Sequence, residues 1–170
     1  MSIQDQQFES LVKSFYQPLY RYAYWKCKNR PLAEDLVQET FTRAWKNLSQ
    51  LKDVKAAKPW LFTILNRENA RRFERKQLPI VELSEEWQLE QIADGKDDLQ
   101  KMMIRRAIFN LPDQFREPLA LQIIGGLSTN EIAEVMDINQ NTVSTRLFRA
   151  RAELKQQLTE VPTNRGKHNG

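Results

Sequence analysis

Residues 127–158, LSTNEIAEVMDINQNTVSTRLFRARAELKQQL, hold two helical periods separated by a short turn. Ser128 and Glu131 stand at the S-x-x-E spacing of a capping box, in which each side chain satisfies a free backbone N–H at a helix start. Ile132, Ala133, Val135 and Met136 give the first helix an apolar side. Asp137-Ile138-Asn139 is the expected turn, with Ile138 as a buried plug between the helices. The second helix is expected from about Gln140 to Leu158. Its Val143, Leu147, Ala150, Leu154 and Leu158 recur at helical steps and form one apolar face. Ser144, Thr145, Arg146, Phe148, Arg149, Arg151 and Lys155 lie off that face. Residues 138–158 carry four basic side chains against one acidic. A capped helix, a tight turn and a basic helix make a helix-turn-helix, whose second helix fits the DNA major groove. The plain alternative is a helical hairpin with a solvated charged face. The coincidence of cap, turn, plug and charge favours DNA.

Working outward, the chain of 170 residues has room for one ordinary domain or two small ones. Its 41% apolar and 28% charged residues place it in the globular class. Only five glycines and long stretches of helical periodicity predict an all-α fold. A run of about 18 apolar residues is missing, so membrane insertion is not expected. The start, MSIQDQQFES, lacks the basic-then-apolar layout of a signal peptide. Cys27 has no second cysteine to pair with, and a cytoplasmic location is the expectation. His168 stands alone in a polar tail, so neither a metal site nor another cofactor is expected. An enzyme is not expected either, because no nucleophile–histidine pair or phosphate-cradling glycine loop is present.

Charge is unevenly spread. Residues 1–58 carry ten basic and six acidic side chains, and residues 59–77 carry five and two. Residues 78–98 carry one and seven. Two basic segments separated by an acidic one suggest two contacts with a polyanion and a linker kept off it.

Taken in order, residues 5–28 predict an aromatic-rich core helix that Pro18 should kink or split. Cys27 reads as a small buried or half-buried residue. Ala33–Leu48 has one apolar stripe, Ala33, Leu36, Val37, Phe41, Ala44, Trp45 and Leu48. Its opposite side carries Glu34, Asp35, Gln38, Glu39, Thr42, Arg43 and Lys46. The acids suit either the helix dipole or a docking surface. Residues 49–58 form a polar connection with Lys52, Lys55 and Lys58. The next helix, Pro59–Gln77, takes apolar contacts from Trp60, Leu61, Ile64, Leu65 and Phe73. Asn66, Arg67, Asn69, Arg71, Arg72, Arg75 and Lys76 gather toward its C-terminal half. Cations there also suit the dipole, but guanidinium groups and amides beside aromatics are what nucleic-acid contact needs. Beyond the acidic stretch, one helix is expected over Leu99–Leu111, with Met102, Met103, Ile108 and Leu111 as burial candidates. A second runs from Pro112 to Ile124, with Phe115, Leu119, Ile123 and Ile124 inward. Gly125-Gly126 ends it. Domains are therefore expected at 1–77 and 99–160, joined by the linker 78–98, with a disordered tail at 161–170.

Three stretches together resemble the extracytoplasmic-function (ECF) sigma factors, small bacterial RNA polymerase sigma subunits. AEDLVQETFTRAW, Ala33–Trp45, resembles the core-binding helix of sigma region two. KPWLFTILNRENARRFERK, Lys58–Lys76, resembles the promoter-melting helix. Residues 111–154 resemble sigma region four. The resemblance implies two small helical domains and a non-enzymatic subunit that binds core polymerase and directs it to promoters. It implies that Asp35, Gln38, Glu39 and Thr42 dock on the clamp helices of the largest subunit, and that the second-largest subunit's flap is also contacted. Lys55, Lys58, Asn66, Arg67, Asn69, Arg71, Arg72 and Arg75 would read and open the minus-ten element. A flipped nontemplate base would sit near the 49–58 connection. Ser144, Thr145, Phe148 and Arg149 would face minus-thirty-five bases, with Arg146 and Arg151 toward phosphates. The acidic linker would thread polymerase channels otherwise filled by nucleic acid. An anti-sigma factor is a further implied partner, able to hold the protein at the inner membrane. Asn66-Arg67 stands where the family often has Arg-Asn, and Asp137 and Asn141 stand where glycines are frequent. A regulator with a similar output domain that is not a polymerase subunit is the alternative.

Overall fold

The computed structural model describes residues 1–76 and 98–159, and all regular structure among them is helical. The α-helices are α1 Ile3–Cys27, α2 Arg30–Lys46, α3 Ala57–Lys76, α4 Asp98–Phe109, α5 Asp113–Ile123, α6 Thr129–Met136 and α7 Gln140–Thr159. Short 3-10 turns, Leu48–Gln50 and Val54–Ala56, lie within the polar connection before α3. The tail 161–170 and the acidic linker, except the backbone of Asp98 at the start of α4, lie outside the described residues.

Helix α1 starts on a capping box, with Ser2 as the cap and Asp5 returning its carboxylate to the Ser2 N–H at 2.9 Å. Of the kink or split expected at Pro18, the split does not occur, and α1 is one helix through it. The proline forfeits one backbone bond and clashes with the preceding turn, at about 3 kcal/mol. Leu11 before it and Leu19, Tyr22, Ala23 and Trp25 after it are all buried, and at about 1.5–3 kcal/mol for each large apolar side chain their packing exceeds that cost. Lys28 turns the chain in the left-handed region, and α2 begins at once, capped by Asn29. Its Ala33, Leu36, Val37, Phe41 and Ala44 are buried as the stripe predicts. Trp45 departs from that stripe and is 43% exposed.

Helix α3 buries Leu61, Phe62 and Leu65, and the stripe continues through Glu68. Phe73, expected to make an apolar contact, is exposed. It follows half-buried Arg72, from which it points about 100° away, and here it is Arg72 that turns inward, to the Leu32 carbonyl. The same geometry corrects two other expectations. Ile123 and Met103 are exposed, and their neighbours Ile124 and Ile104 pack on the core instead.

The 127–158 stretch folds as expected. Ser128 and Glu131 form the reciprocal cap of α6, at 3.2 and 2.9 Å. Asp137 adopts the left-handed conformation that the tight turn demands, which aspartate tolerates better than most residues. Ile138 packs against the core, and Asn139 caps α7 by accepting from Thr142 N–H at 3.0 Å. One apolar cluster runs through both halves of the chain, from Leu19, Leu36 and Phe62 to Leu119, Leu127, Ile132 and Val143. Helix α3 packs directly on α6.

Candidate nucleic-acid interface

Helix α7 divides into two sides. Val143, Leu147 and Ala150 are buried, while Ser144, Thr145, Phe148, Arg149 and Arg151 are exposed and Arg146 is half-buried. Phe148 is 76% exposed, so the described residues leave most of its ring uncovered. Thr145 donates its hydroxyl back to the Asn141 carbonyl at 2.9 Å. Arg151 bonds the Gln122 side chain of α5, which draws it toward that helix. Thr145, Arg146 and Arg149 share a cleft of about 320 Å³ with Asn141, Thr142, Gln114 and Phe115. Gln114 escaped the sequence reading because only folding brings the first turn of α5 beside α7.

The basic set expected on α3 is split by the structure. Lys55, Arg67 and Arg71 are exposed, and Asn69 is half-buried. Three others are tied to groups outside α3. Lys58 Nζ donates to the Gly126 carbonyl at 2.6 Å. Asn66 Oδ1 lies 3.2 Å from the Tyr22 hydroxyl. Arg72 donates to the Leu32 carbonyl at 3.1 Å. The side chain of Arg75 lies outside the described residues. Buried Glu68 was also missed, since a charge run reads as solvated. Its carboxylate sits 3.1 Å from Arg71 and 3.3 Å from Arg43 of α2, so it clasps two helices and orients one exposed cation.

On α2, Asp35, Gln38 and Thr42 are exposed, and half-buried Glu39 pairs with Arg43 at 3.5 Å. Gln38 and Thr42 border a groove of about 750 Å³ between α1 and α2, floored by Phe8, Val12, Tyr16, Phe41 and Trp45. Phe8 and Trp45 meet edge to face, with ring centres 5.1 Å apart. Part of the aromatic content that reads as core in α1 thus lines a surface groove.

Burial, reinforced by the charge of Glu117, pushes the Tyr22 phenol well above its ordinary pKa. Burial also raises the Cys27 thiol, against the opposing pull of Arg72 and Lys26, which keeps it protonated and unreactive. Among the described residues no three histidine, cysteine or acidic side chains gather as metal ligands would. No described helix is long and apolar enough to cross a membrane.

Residues 11–78 match the family described as Sigma-70 region 2, and residues 101–154 match that described as Sigma-70, region 4. Over 145 residues the chain is 34% identical to the RNA polymerase sigma factor SigV of Bacillus subtilis, covering 85% of this chain and 86% of that protein. It is 30% identical over 169 residues to the ECF RNA polymerase sigma factor SigW of the same organism, covering 91% and 90%. Among solved structures it resembles CnrH in complex with the cytosolic domain of CnrY. The TM-score is 0.64 at 27% identity, covering 89% of this chain and 87% of that one.

Proposed function

The chain belongs to the sigma-70 family, in its extracytoplasmic-function group, and we propose that three of its faces divide the work of promoter recognition. As a sigma factor it is a regulatory subunit that binds core RNA polymerase, directs it to promoters through the minus-thirty-five and minus-ten elements, and promotes DNA melting. In our assignment, residues 1–77 form the region-two domain and 99–160 the region-four domain. The α2 positions Asp35, Gln38, Glu39 and Thr42 dock on the clamp helices of the largest subunit, and the region-four domain meets the flap of the second-largest. Lys55, Arg67 and Asn69 are α3-side groups within reach of minus-ten DNA, and Arg71, paired with Glu68 but 47% exposed, joins them. Lys58, Asn66 and Arg72 join them only if their bonds within the chain exchange for DNA.

The observation that carries the DNA assignment is the side of α7 around Phe148. A large ring stays in water on the side of a helix whose other side buries Val143, Leu147 and Ala150, flanked by Ser144, Thr145 and Arg149. Such a ring gains by covering a thymine methyl group, and a bidentate Arg149–guanine pair would add about 1–3 kcal/mol of discrimination. Arg146 and Arg151 stand beside these groups and supply positive charge for phosphates.

The test is transcription in vitro on genomic DNA with core polymerase, followed by sequencing of the transcripts, which yields the promoter sequence. On that promoter, Arg149→Ala should lower initiation and relax preference at one minus-thirty-five position. Equal initiation from every base variant there would reject the assignment. Asp35→Lys with Glu39→Lys should weaken co-purification with core enzyme while helical content is kept. A regulator that is not a polymerase subunit would fail to co-purify at all. CnrH was solved with the cytosolic domain of CnrY. By extension, an anti-sigma protein would hold this cytoplasmic chain off polymerase, and at the inner membrane where that protein is anchored there.

A further inference from the structure

Helices α5 and α7 meet at both ends of α5. At its C-terminal end, Gln122 takes up Arg151. At its first turn, Gln114 faces the N-terminal half of α7 across the cleft of about 320 Å³ that also holds Arg146 and Arg149. Among the described residues no carboxylate lines that cleft. Asp113, the acid next to Gln114, bonds Arg116 instead. Arg146 and Arg149 stand three residues apart, so their guanidinium groups are neighbours on one side of the helix and repel each other. An anion seated between them replaces that repulsion with two attractions.

The kind of anion follows from where the side chains point. The ring of Phe148 marks the side of α7 assigned to bases. Arg146 is two positions earlier and, at about 100° per residue, points roughly 160° away from that ring. It therefore lies by the wall of the groove, where phosphates run, and not at the base edges. Thr145 cannot donate there, because its hydroxyl hydrogen already goes to the Asn141 carbonyl at 2.9 Å. The exposed Gln114 carboxamide supplies two N–H donors. Being neutral, it adds a directed bond without adding to the repulsion between the arginines.

We propose that this cleft seats one backbone phosphate at the edge of the minus-thirty-five element, held jointly by Gln114 of α5 and Arg146 of α7. Seating it fixes the register from which Phe148 and Arg149 meet their bases. Helix α5 thus takes part in DNA binding although it lies outside the helix-turn-helix. This rests on the assignment of α7 to the minus-thirty-five element, and the test separates the two. The full chain, as wild type, Gln114→Ala, Gln114→Glu and Arg146→Ala, is assembled with core polymerase. Each assembly is titrated against the promoter obtained by transcript sequencing, at several salt concentrations. A set of promoter duplexes carries a single methylphosphonate, which removes the charge of one phosphate, at successive positions across the minus-thirty-five element.

Gln114→Ala should weaken binding about fivefold, the loss of one hydrogen bond, and by the same factor on every base variant of the element. Its salt dependence should match wild type. Gln114→Glu should be weaker still, because it sets a carboxylate against the phosphate. Arg146→Ala should weaken binding about tenfold and lower the slope of log affinity against log salt by about 1. At one methylphosphonate position, wild type should bind about as weakly as Arg146→Ala, and none of the substitutions should cost anything further. Gln114 is exposed, so its variants decide the matter even if Arg146→Ala loses its helical circular dichroism. Wild-type affinity in Gln114→Ala overturns the proposal, and so does a loss confined to one base variant. Losses that persist at every methylphosphonate position overturn the backbone as the source of the phosphate. Unchanged base preference in Phe148→Ala with Arg149→Ala would overturn the assignment of α7 instead, while the methylphosphonate result still decides the cleft.

Discussion

Replacing Gly125 with alanine tests how tightly the turn after α5 is seated against α3. A Cβ built there stands 2.8 Å from the Leu121 carbonyl oxygen and 3.0 Å from both Leu127 Cδ1 and Phe62 Cε1. The first neighbour is backbone at the end of α5 and cannot swing away. The other two belong to side chains buried in the shared core. Overpacking of this kind costs about 1–3 kcal/mol. Restricting the unfolded chain returns about 0.4–1 kcal/mol. The net loss should be about 1–2 kcal/mol, or a Tm lower by roughly 2–8 °C at this chain length. Gly126 provides the control. Its φ is +71°, and an added Cβ would meet only Lys58 Nζ at 3.4 Å. Substitution there is limited by backbone conformation, so asparagine, which accepts the left-handed region, should be tolerated better than alanine. At Gly125 the order should reverse, because asparagine is larger. Phe62→Leu, which removes the ring from the clash, should make the Gly125→Ala loss less than additive. Urea unfolding followed by far-ultraviolet circular dichroism gives all of these values. A Gly125→Ala chain as stable as wild type, or the same residue ranking at both glycines, would refute the reasoning.

Three other outcomes are expected. Ser128→Ala removes the cap of α6 at the head of the helix-turn-helix and should cost about 1 kcal/mol, read as a lower thermal midpoint. Glu68→Gln should cost about 1–2 kcal/mol in the same assay. This is below the cost of breaking a fully buried pair, because Arg43 and Arg71 are 36% and 47% exposed and can turn to water. The raised Tyr22 phenol makes stability depend on alkaline pH. The unfolded chain binds its phenolic proton only up to about pH 10, whereas the folded chain keeps it higher, so this stability is present below pH 10 and lost above it. Urea midpoints between about pH 9 and 11 should fall less steeply in Tyr22→Phe than in wild type, and parallel slopes would contradict the burial argument.

The helix-turn-helix was legible because its signals are local: a cap three residues from its partner, a turn residue tolerant of positive φ, and an apolar repeat. The stripe of α2 was legible for the same reason through Ala44. What failed was of two kinds. Adjacent apolar pairs such as Ile123 and Ile124 lie on different sides of a helix, and composition alone does not choose between them. Contacts between distant elements left no mark either. Glu117 looks like any charged residue after Arg116, and Asn66 and Lys58 look free to meet DNA until α5 and the turn after it are placed against α1 and α3. Pro18 did not split α1 because a local rule met buried side chains on both of its flanks.

Under the proposed assignment, charge placement lets docking and DNA reading coexist on so small a body. Glu34, Asp35 and Glu39 lie along α2, while Arg67 and Arg71 project from α3. Helices α2 and α3 pack together, and Arg43 joins them through Glu68, so the acidic and basic surfaces cannot drift independently. A polyanion approaching this unit is attracted to one side and repelled from the other, which orients it before any base is read. The same acids favour a basic partner on α2, where the adjoining groove offers Phe8, Tyr16 and Trp45 as apolar contacts. Arg43 faces competing demands, since it neutralises Glu68 and also pairs with Glu39. Loss of Glu68 would therefore leave Arg43 to Glu39 alone, weakening the acidic character of the α2 surface along with the clasp between the helices. A change on α3 should in this way be felt by a partner bound to α2, through a single buried carboxylate.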